Sequence, residues 1–590
     1  MTNSIVNTSG ITTGSDGKVR VSGFSSGIDW KNIVDTQVKA KRAPAVQIEA
    51  KITKNTTQAT AYKDLKTKAS AVTKSLDALR AAPGSSTDVF KSKTAAGTTA
   101  ATPSAPADFV PSGINSLLLT SISSTAQAAT HTIRIQQIAA AQQIRSDAYT
   151  STTDTLVSQG VTAGTFSLNG KTITINASDT LQDLRASINS ADAGVTATIV
   201  SASATSNYLV LTSTKTGVDN EMDFAGGTTT SDNLGLTAAG AVKFELTEAK
   251  NAILDVNGIT NIERSSNQIE DILTGVSLSL LKAETNTNIT LKIEPDLNKV
   301  KTAIADFVTA FNAMRDYVTE QRTASDRNED GTTADDELGP LAYDQRLRDL
   351  GNRLGTLAAT SVDSNTDGYR SLGQMGITLN EDFKLEIDDT IVDSRLLADV
   401  DSVKTLFGLT TSSSDSRVTV LSRTGDTVAG TYYVNIAGTD GSGNITSANI
   451  QTTAVTGNGG ANDGTATISG QQITGATGSA TGLKLFFNGA ASLGAVNDVS
   501  VTITRGIADL FYDGFNDATK ATTGSLDTAV TELLTQNEDY TKRVKDIDTR
   551  LETYRAQQEY KFTLMETALA KLESLRSTID SLFKTDSNSG

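Results

Sequence analysis

The chain has 590 residues, 37% of them hydrophobic, and a formal net charge of −16, from 51 Lys and Arg against 67 Asp and Glu. That length exceeds one hydrophobic core and points to several domains, while the acidic balance opposes a nucleic-acid footprint, which wants the other sign. Cysteine is absent, which excludes disulfide scaffolds, thiolate nucleophiles and Cys-ligated zinc together, and no apolar run approaches the roughly 18 residues of a membrane span.

Residues 1–42 are expected to form an N-terminal leg segment. The start, Met1-Thr2-Asn3-Ser4-Ile5, has neither the basic stretch nor the apolar run of an ordinary signal peptide. Gly23-Phe24-Ser25-Ser26-Gly27 matches the G-x-S-x-G nucleophile elbow, but a triad needs a histidine oriented by a carboxylate. The single histidine, His131, shares strand parity with Ile133 and Ile135 and has no acidic neighbour, so a structural role is expected. Residues 43–95 carry the N-terminal helix of a helical domain. Ile48, Ile52, Asn55, Ala59, Tyr62, Leu65, Ala69, Val72, Leu76 and Leu79 recur at spacings of three and four, with one stammer. Pro44 is placed near its start, where a first-turn proline is tolerated, and Pro83-Gly84 ends it.

Pro103, Pro106 and Pro111 lie among Ala, Thr, Ser and Gly, so 96–120 is expected to be a linker. A β domain is expected from 121–145 together with 241–294, with alternation at 131–135, 277–281 and 288–294. Residues 146–240 are expected to be an inserted β domain, with strands at 166–168, 172–175, 195–200 and 208–211 and a short helix at 180–188. Asn169-Gly170 signals a hairpin turn, because both residues tolerate positive φ. Gly170-Lys171-Thr172 fails as a phosphate loop, since five residues rather than four separate it from Gly164.

A helical domain is expected over 295–410. Val300, Ile304, Phe307, Phe311, Met314 and Val318 step by four and three, and further helices are expected at 341–357 and 389–407. Between them Asp326, Asn328, Asp330, Gly331 and Glu337 fit the EF-hand pattern, and 363–374 is a weaker copy with Gln374 where the bidentate Glu belongs. Asp, Asn and Gly are also ordinary turn residues. No cofactor is therefore expected, and calcium at loop 326–337 is a candidate only. Residues 411–505, rich in Gly, Thr and Ser, are expected to be an extra inserted β domain; 464–473 echoes 164–173.

Residues 506–590 are expected to form a C-terminal coiled coil or leg. With Leu526 at position a, 14 of 17 seam positions through Leu582 are apolar or aromatic over eight heptads. Asn537, Gln558 and Lys561 interrupt the seam. The chain is thus expected to be α+β and multidomain, its terminal helices forming coiled-coil or bundle legs around inserted β-rich domains.

Several segments together are similar to a known family. Ser22-Gly23-Phe24-Ser25-Ser26-Gly27-Ile28-Asp29, Lys41-Arg42-Ala43-Pro44, Leu254-Asp255-Val256-Asn257-Gly258, Arg264-Ser265-Ser266-Asn267 and Tyr369-Arg370-Ser371-Leu372-Gly373 resemble flagellar hook-associated protein 2, the FliD-type filament cap family. Residues 180–195 are similar to a β module of flagellar hook and filament proteins. The resemblance implies a structural protein rather than an enzyme. It implies a ring homo-oligomer at the distal filament tip, exported by the flagellar type III route, beneath which flagellin folds and is inserted. Flagellin, hook–filament junction proteins and an export chaperone are the implied partners, with no nucleic acid and no membrane insertion. The alternatives are another axial flagellar protein (flagellin or a junction protein) or a surface adhesin. Assembly is expected to rest on Phe24, Ile28, Trp30, Ile33 and Val34 at the N-terminal leg. At the other end it is expected to rest on Tyr540, Val544, Ile547, Leu551, Tyr554, Met565, Leu572, Leu575, Ile579 and Leu582. The shorter N-terminal stripe leaves an excess C-terminal coil, 540–582, for contacts to other subunits or the filament.

Overall fold

A computed structural model describes residues 11–13, 19–21, 27–225, 228–324, 338–362, 368–454 and 465–586. Ten helices lie among them: α1 Trp30–Leu76, α2 Ile114–Leu117, α3 Leu181–Ser190, α4 Thr229–Asn233, α5 Leu297–Arg322, α6 Gln345–Ala358, α7 Asp389–Ala398, α8 Val400–Phe407, α9 Ile507–Thr519 and α10 Ser525–Asp586. The chain divides into two compact units, one made of 1–87 with 301–590 and the other of 88–300.

The 88–300 unit holds two β modules. In the first, a five-stranded sheet runs in the order Ile259–Arg264, Ala252–Val256, Ala129–Gln137, Thr287–Pro295, Lys93–Ala101. It shares a core with a three-stranded sheet of Gln268–Leu273, Val276–Leu280 and Leu118–Ile122, through Ile133, Leu254, Leu278, Leu291 and their neighbours. Two of these strands, Lys93–Ala101 and Leu118–Ile122, overlap the ends of the 96–120 stretch expected to be a linker. After Lys93 the first of them carries only Thr, Ala and Gly, so its alternation has no hydrophobic signature, and the three prolines lie just beyond it. His131 sits on the Ala129–Gln137 strand, its Nδ1 3.0 Å from Asn257 Nδ2.

The second module joins a four-stranded sheet to α3 and the hairpin Gly164–Leu168/Lys171–Ile175 around Phe166, Leu184 and Leu211. Asn169 and Gly170 turn that hairpin at φ of 48° and 76°. A capping box starts α3: Thr180 Oγ1 accepts from Asp183 N, and Asp183 accepts from Thr180 N.

The other unit is a helical body with its own β domain. Phe307 and Phe311 of α5 meet Phe511 of α9 edge-on, at centroid distances of 5.2 and 6.1 Å. Tyr317 of α5 donates to the Ala61 carbonyl at 2.7 Å, tying α5 to α1. The expected single helix over 389–407 is broken at Asp399. Its side chain accepts from Ser402 N and starts α8, so the residue works as a cap, where Asp is favoured, rather than as a helix-interior residue. Residues 409–505 form two four-stranded sheets around Tyr432, Val434, Ile473, Leu485 and Phe487. The hairpin Ala466–Ser469/Gln472–Gly475 turns, like its echo at 164–175, on two residues between paired strands.

The N-terminal helix begins at Trp30, well before the expected boundary at 43, and Pro44 lies inside it. An interior proline costs about 3 kcal/mol. Pro44 is on the exposed side, while its neighbour Ala45 is fully buried. Packing along α10 therefore carries the helix through the break.

Candidate assembly surface

Helices α1 and α10 run antiparallel, and their contacts descend one helix as they climb the other. At the base, Lys66 Nζ is 2.7 Å from Asp527, and Leu65, Ala69, Leu526 and Ala529 are buried. Next, Asn55 Nδ2 donates to Gln536 Oε1 at 3.3 Å, and Asn537 Nδ2 donates to the Ile52 carbonyl and to Thr56 Oγ1 at 3.3 and 3.1 Å. Further out, Arg42 spans Asp548 at 2.8 Å and Glu49 at 2.6 Å. Lys41 lies over the Tyr554 ring, Tyr554 OH donates to Gln37 Oε1 at 3.0 Å, and Arg555 pairs with Asp35.

Trp30 closes the distal end. Asp29 caps α1 by accepting from Asn32 N at 3.0 Å. This aims the first residue of α1, Trp30, at α10, where it stacks on Phe562 at a centroid distance of 4.4 Å and donates Nε1–H to Glu566 Oε1 at 2.6 Å. Sequence periodicity gave no sign of this clamp or of the cross-helix ion pairs, since each needs the relative register of helices some 500 residues apart.

The seam residues divide into three groups. Val34 is fully buried, and Tyr540, Val544, Ile547, Leu551 and Tyr554 are half-buried against α1. Region 540–566 is therefore occupied by α1, which corrects the expectation that the free excess begins at 540. Met565 is 40% exposed, whereas Phe562 and Glu566 face α1. The reason is geometric: a straight α-helix drifts about 20° per heptad against a strict seven-residue seam. By the last third, the contact face has moved from the heptad positions Lys561 and Met565 to their C-terminal neighbours. Beyond Glu566, α1 is past its start, and Leu572, Leu575 and Ile579 are 62%, 61% and 44% exposed. Ile28 and Ile33 are exposed at the same end. Phe24 and loop 326–337 lie outside the described residues, as do 363–367 of the second loop and the side chain of Leu582.

The arrangement is a long two-helix stem beyond which α10 carries apolar side chains that are exposed among the described residues. Among the described residues no group of three or more His, Cys, Asp or Glu is placed to hold a metal ion. No described helix is long and apolar enough to cross a membrane.

Comparison with known proteins bears on the same regions. The model of the flagellar hook-associated protein 2 C-terminus matches residues 249–574, that of its N-terminus matches 26–142, and the flagellin hook IN motif matches 160–215. The flagellar hook-associated protein 2 of Escherichia coli K12 is 30% identical over 428 residues, covering 70% of this chain and 86% of that protein. The B-type protein of Pseudomonas aeruginosa is 29% identical over 412 residues, covering 66% and 81%. Among solved structures, the D1–D2–D3 domains of the E. coli flagellar cap protein FliD align with a TM-score of 0.44 at 28% identity, over 59% of this chain and 89% of that one. With one family model spanning more than half its length and a second covering the start of the stem, the chain belongs to the flagellar hook-associated protein 2 family, the structural filament caps of the bacterial flagellum.

Proposed function

We propose that this cap protein works as a ring-forming homo-oligomer at the extracellular tip of the filament, reached by the flagellar type III route. Exported flagellin folds and is inserted beneath it, and the helical stem carries the contacts to neighbouring copies and to the filament. Hook–filament junction proteins and an export chaperone are its other partners. The observation that carries this is the stripe of Leu572, Leu575 and Ile579, which lies exposed on the heptad positions of α10 beyond the reach of α1. Three exposed aliphatic side chains at helical spacing cost solubility unless something covers them. The family assignment favours the cap over flagellin, a junction protein or an adhesin.

The experiment replaces all three with serine. The helical content and thermal unfolding of the variant should stay close to wild type, because these side chains pack on nothing in the described chain. Its sedimentation should shift toward monomer, and filament elongation should fail in cells expressing it alone. Oligomers and filaments of normal yield would remove the stem tip from the assembly surface.

A further inference from the structure

The 409–505 domain enters and leaves the helical body through two adjacent antiparallel strands, Leu409–Ser413 and Val496–Arg505. Glycine flanks both: Gly506 N donates to the Gly408 carbonyl at 2.8 Å, and Leu409 N donates to the Arg80 carbonyl at 2.7 Å. A Cβ on Gly506 would stand 2.3 Å from the Phe407 carbonyl carbon, so this neck tolerates only glycine. These two strands are the domain's only covalent links to the helical body, so its angle is set by the contacts made across them.

A charge cluster spans that neck. Asp509, fully buried on α9, receives three guanidinium groups: Arg80 from the turn after α1 at 3.2 Å, Arg505 from the neck strand at 2.8 Å, and Arg423. Arg423 and Arg505 also pair with Asp513, one turn further along α9, Arg423 at 3.0 Å. The side chain of Arg423 is only 2% exposed. It follows the strand Val418–Ser422, which belongs to the sheet that does not form the neck. Both sheets of the domain are thus fastened to one helix. That helix is fixed in turn by Phe511 against α5 and by Arg80 lying over Tyr512 at 3.8 Å.

Desolvating five charged groups is a poor route to stability, since apolar packing of the same volume does as well or better. What the cluster supplies is geometry: planar guanidinium groups meet carboxylates in few orientations. We propose that Arg423 is a positioning residue, which with Arg505, Asp509 and Asp513 locks the 409–505 domain at one angle on α9. The domain then projects as a rigid arm instead of swinging on its glycine neck, and this holds whether or not the chain acts as a cap.

The chain has no native cysteine, so paired spin labels are unambiguous. Labels at Thr67→Cys on α1 and Ser447→Cys on the domain, both exposed positions, report the angle by pulsed dipolar spectroscopy on the full chain. Wild type should give one narrow distance distribution. Arg423→Met should at least double its width, with the β-sheet signal in circular dichroism retained, and Arg423→Lys should fall between. Asp509→Asn with Asp513→Asn should broaden it too, and that variant leaves the β domain's own residues untouched in case Arg423→Met disturbs its folding. A distribution as narrow as wild type in both variants would overturn the lock.

Discussion

Glu284 shows how a single side chain can hold two chain segments of the 88–300 unit together. Its carboxylate accepts from the backbone and hydroxyl of Ser112 at 2.9 and 2.8 Å, and from Thr287 Oγ1 at 2.8 Å, with Lys282 alongside at 3.2 Å. The Ser112 backbone bond, more than the others, holds the acid at about 2 against its usual 4.5. A carboxyl whose pKa falls on folding adds stability above its unfolded value and loses it as the pH drops through the folded one. The contribution is therefore complete above about pH 4.5 and fades between there and about pH 2. Glu284→Gln should destabilise the unit by roughly 1.5–3 kcal/mol at neutral pH, the scale of lost hydrogen bonds to a charged group. It should also flatten the acid dependence in that window. A fluorescent label on one introduced cysteine in the unit, followed through urea unfolding at pH 6 and pH 3, checks both. Equal acid sensitivity in variant and wild type would place the titrating group elsewhere.

At the level of the helix pair, most exposed ion pairs align rather than stabilise. Lys66–Asp527 and Arg42–Asp548 are each about a third exposed, where a pair contributes about 0.2–1 kcal/mol. Asn537 is different: it is 9% exposed, bonds α1 through its Nδ2, and leaves its Oδ1 buried with no partner among the described residues. An unsatisfied buried acceptor costs about 1–3 kcal/mol, yet a buried polar seam residue admits one register where leucine admits several. Asn537→Leu should raise the thermal midpoint of the stem. It should also lower the yield of a disulfide between cysteines introduced at Asn55 and Gln536, now in contact, because misaligned pairings become accessible. A lower midpoint with unchanged cross-linking would mean that the amide is there for stability. Legibility in the sequence follows the same physics. The heptads of α10 were visible because period and polarity coincide for eight repeats, and the 164–175 hairpin because Asn169-Gly170 demands positive φ. The start of α1 was hidden by Pro44, and the break at Asp399 by a residue that also suits a polar helix face. The strand Lys93–Ala101 was hidden by side chains too small to mark a buried side. Trp30 and Glu566 could be found in the sequence, but their meeting across 536 positions could not.

At the scale of the whole molecule, the stem joins the first helix to the last, with residues 88–300 and 409–505 inserted between them. Contacts of such sequence separation form late in folding, after the long intervening loops have closed. Every copy also carries a net charge of −16, so the proposed ring would bring like charges together. Two driving forces for assembly then predict opposite salt dependence. If ion pairs between copies held the ring, salt would screen them and weaken it. If apolar side chains such as Leu572, Leu575 and Ile579 hold it, salt removes repulsion and strengthens it. The proposed role of the exposed stripe predicts the second. The Debye length falls from about 30 Å at 0.01 M salt to about 8 Å at 0.15 M, so self-association followed by sedimentation should tighten across that range and then level off. The serine triple variant should show no such tightening, because it lacks the attraction that repulsion was masking. Association that weakens steadily with added salt would instead place charge pairing at the centre of the interface and move the search away from the stem tip.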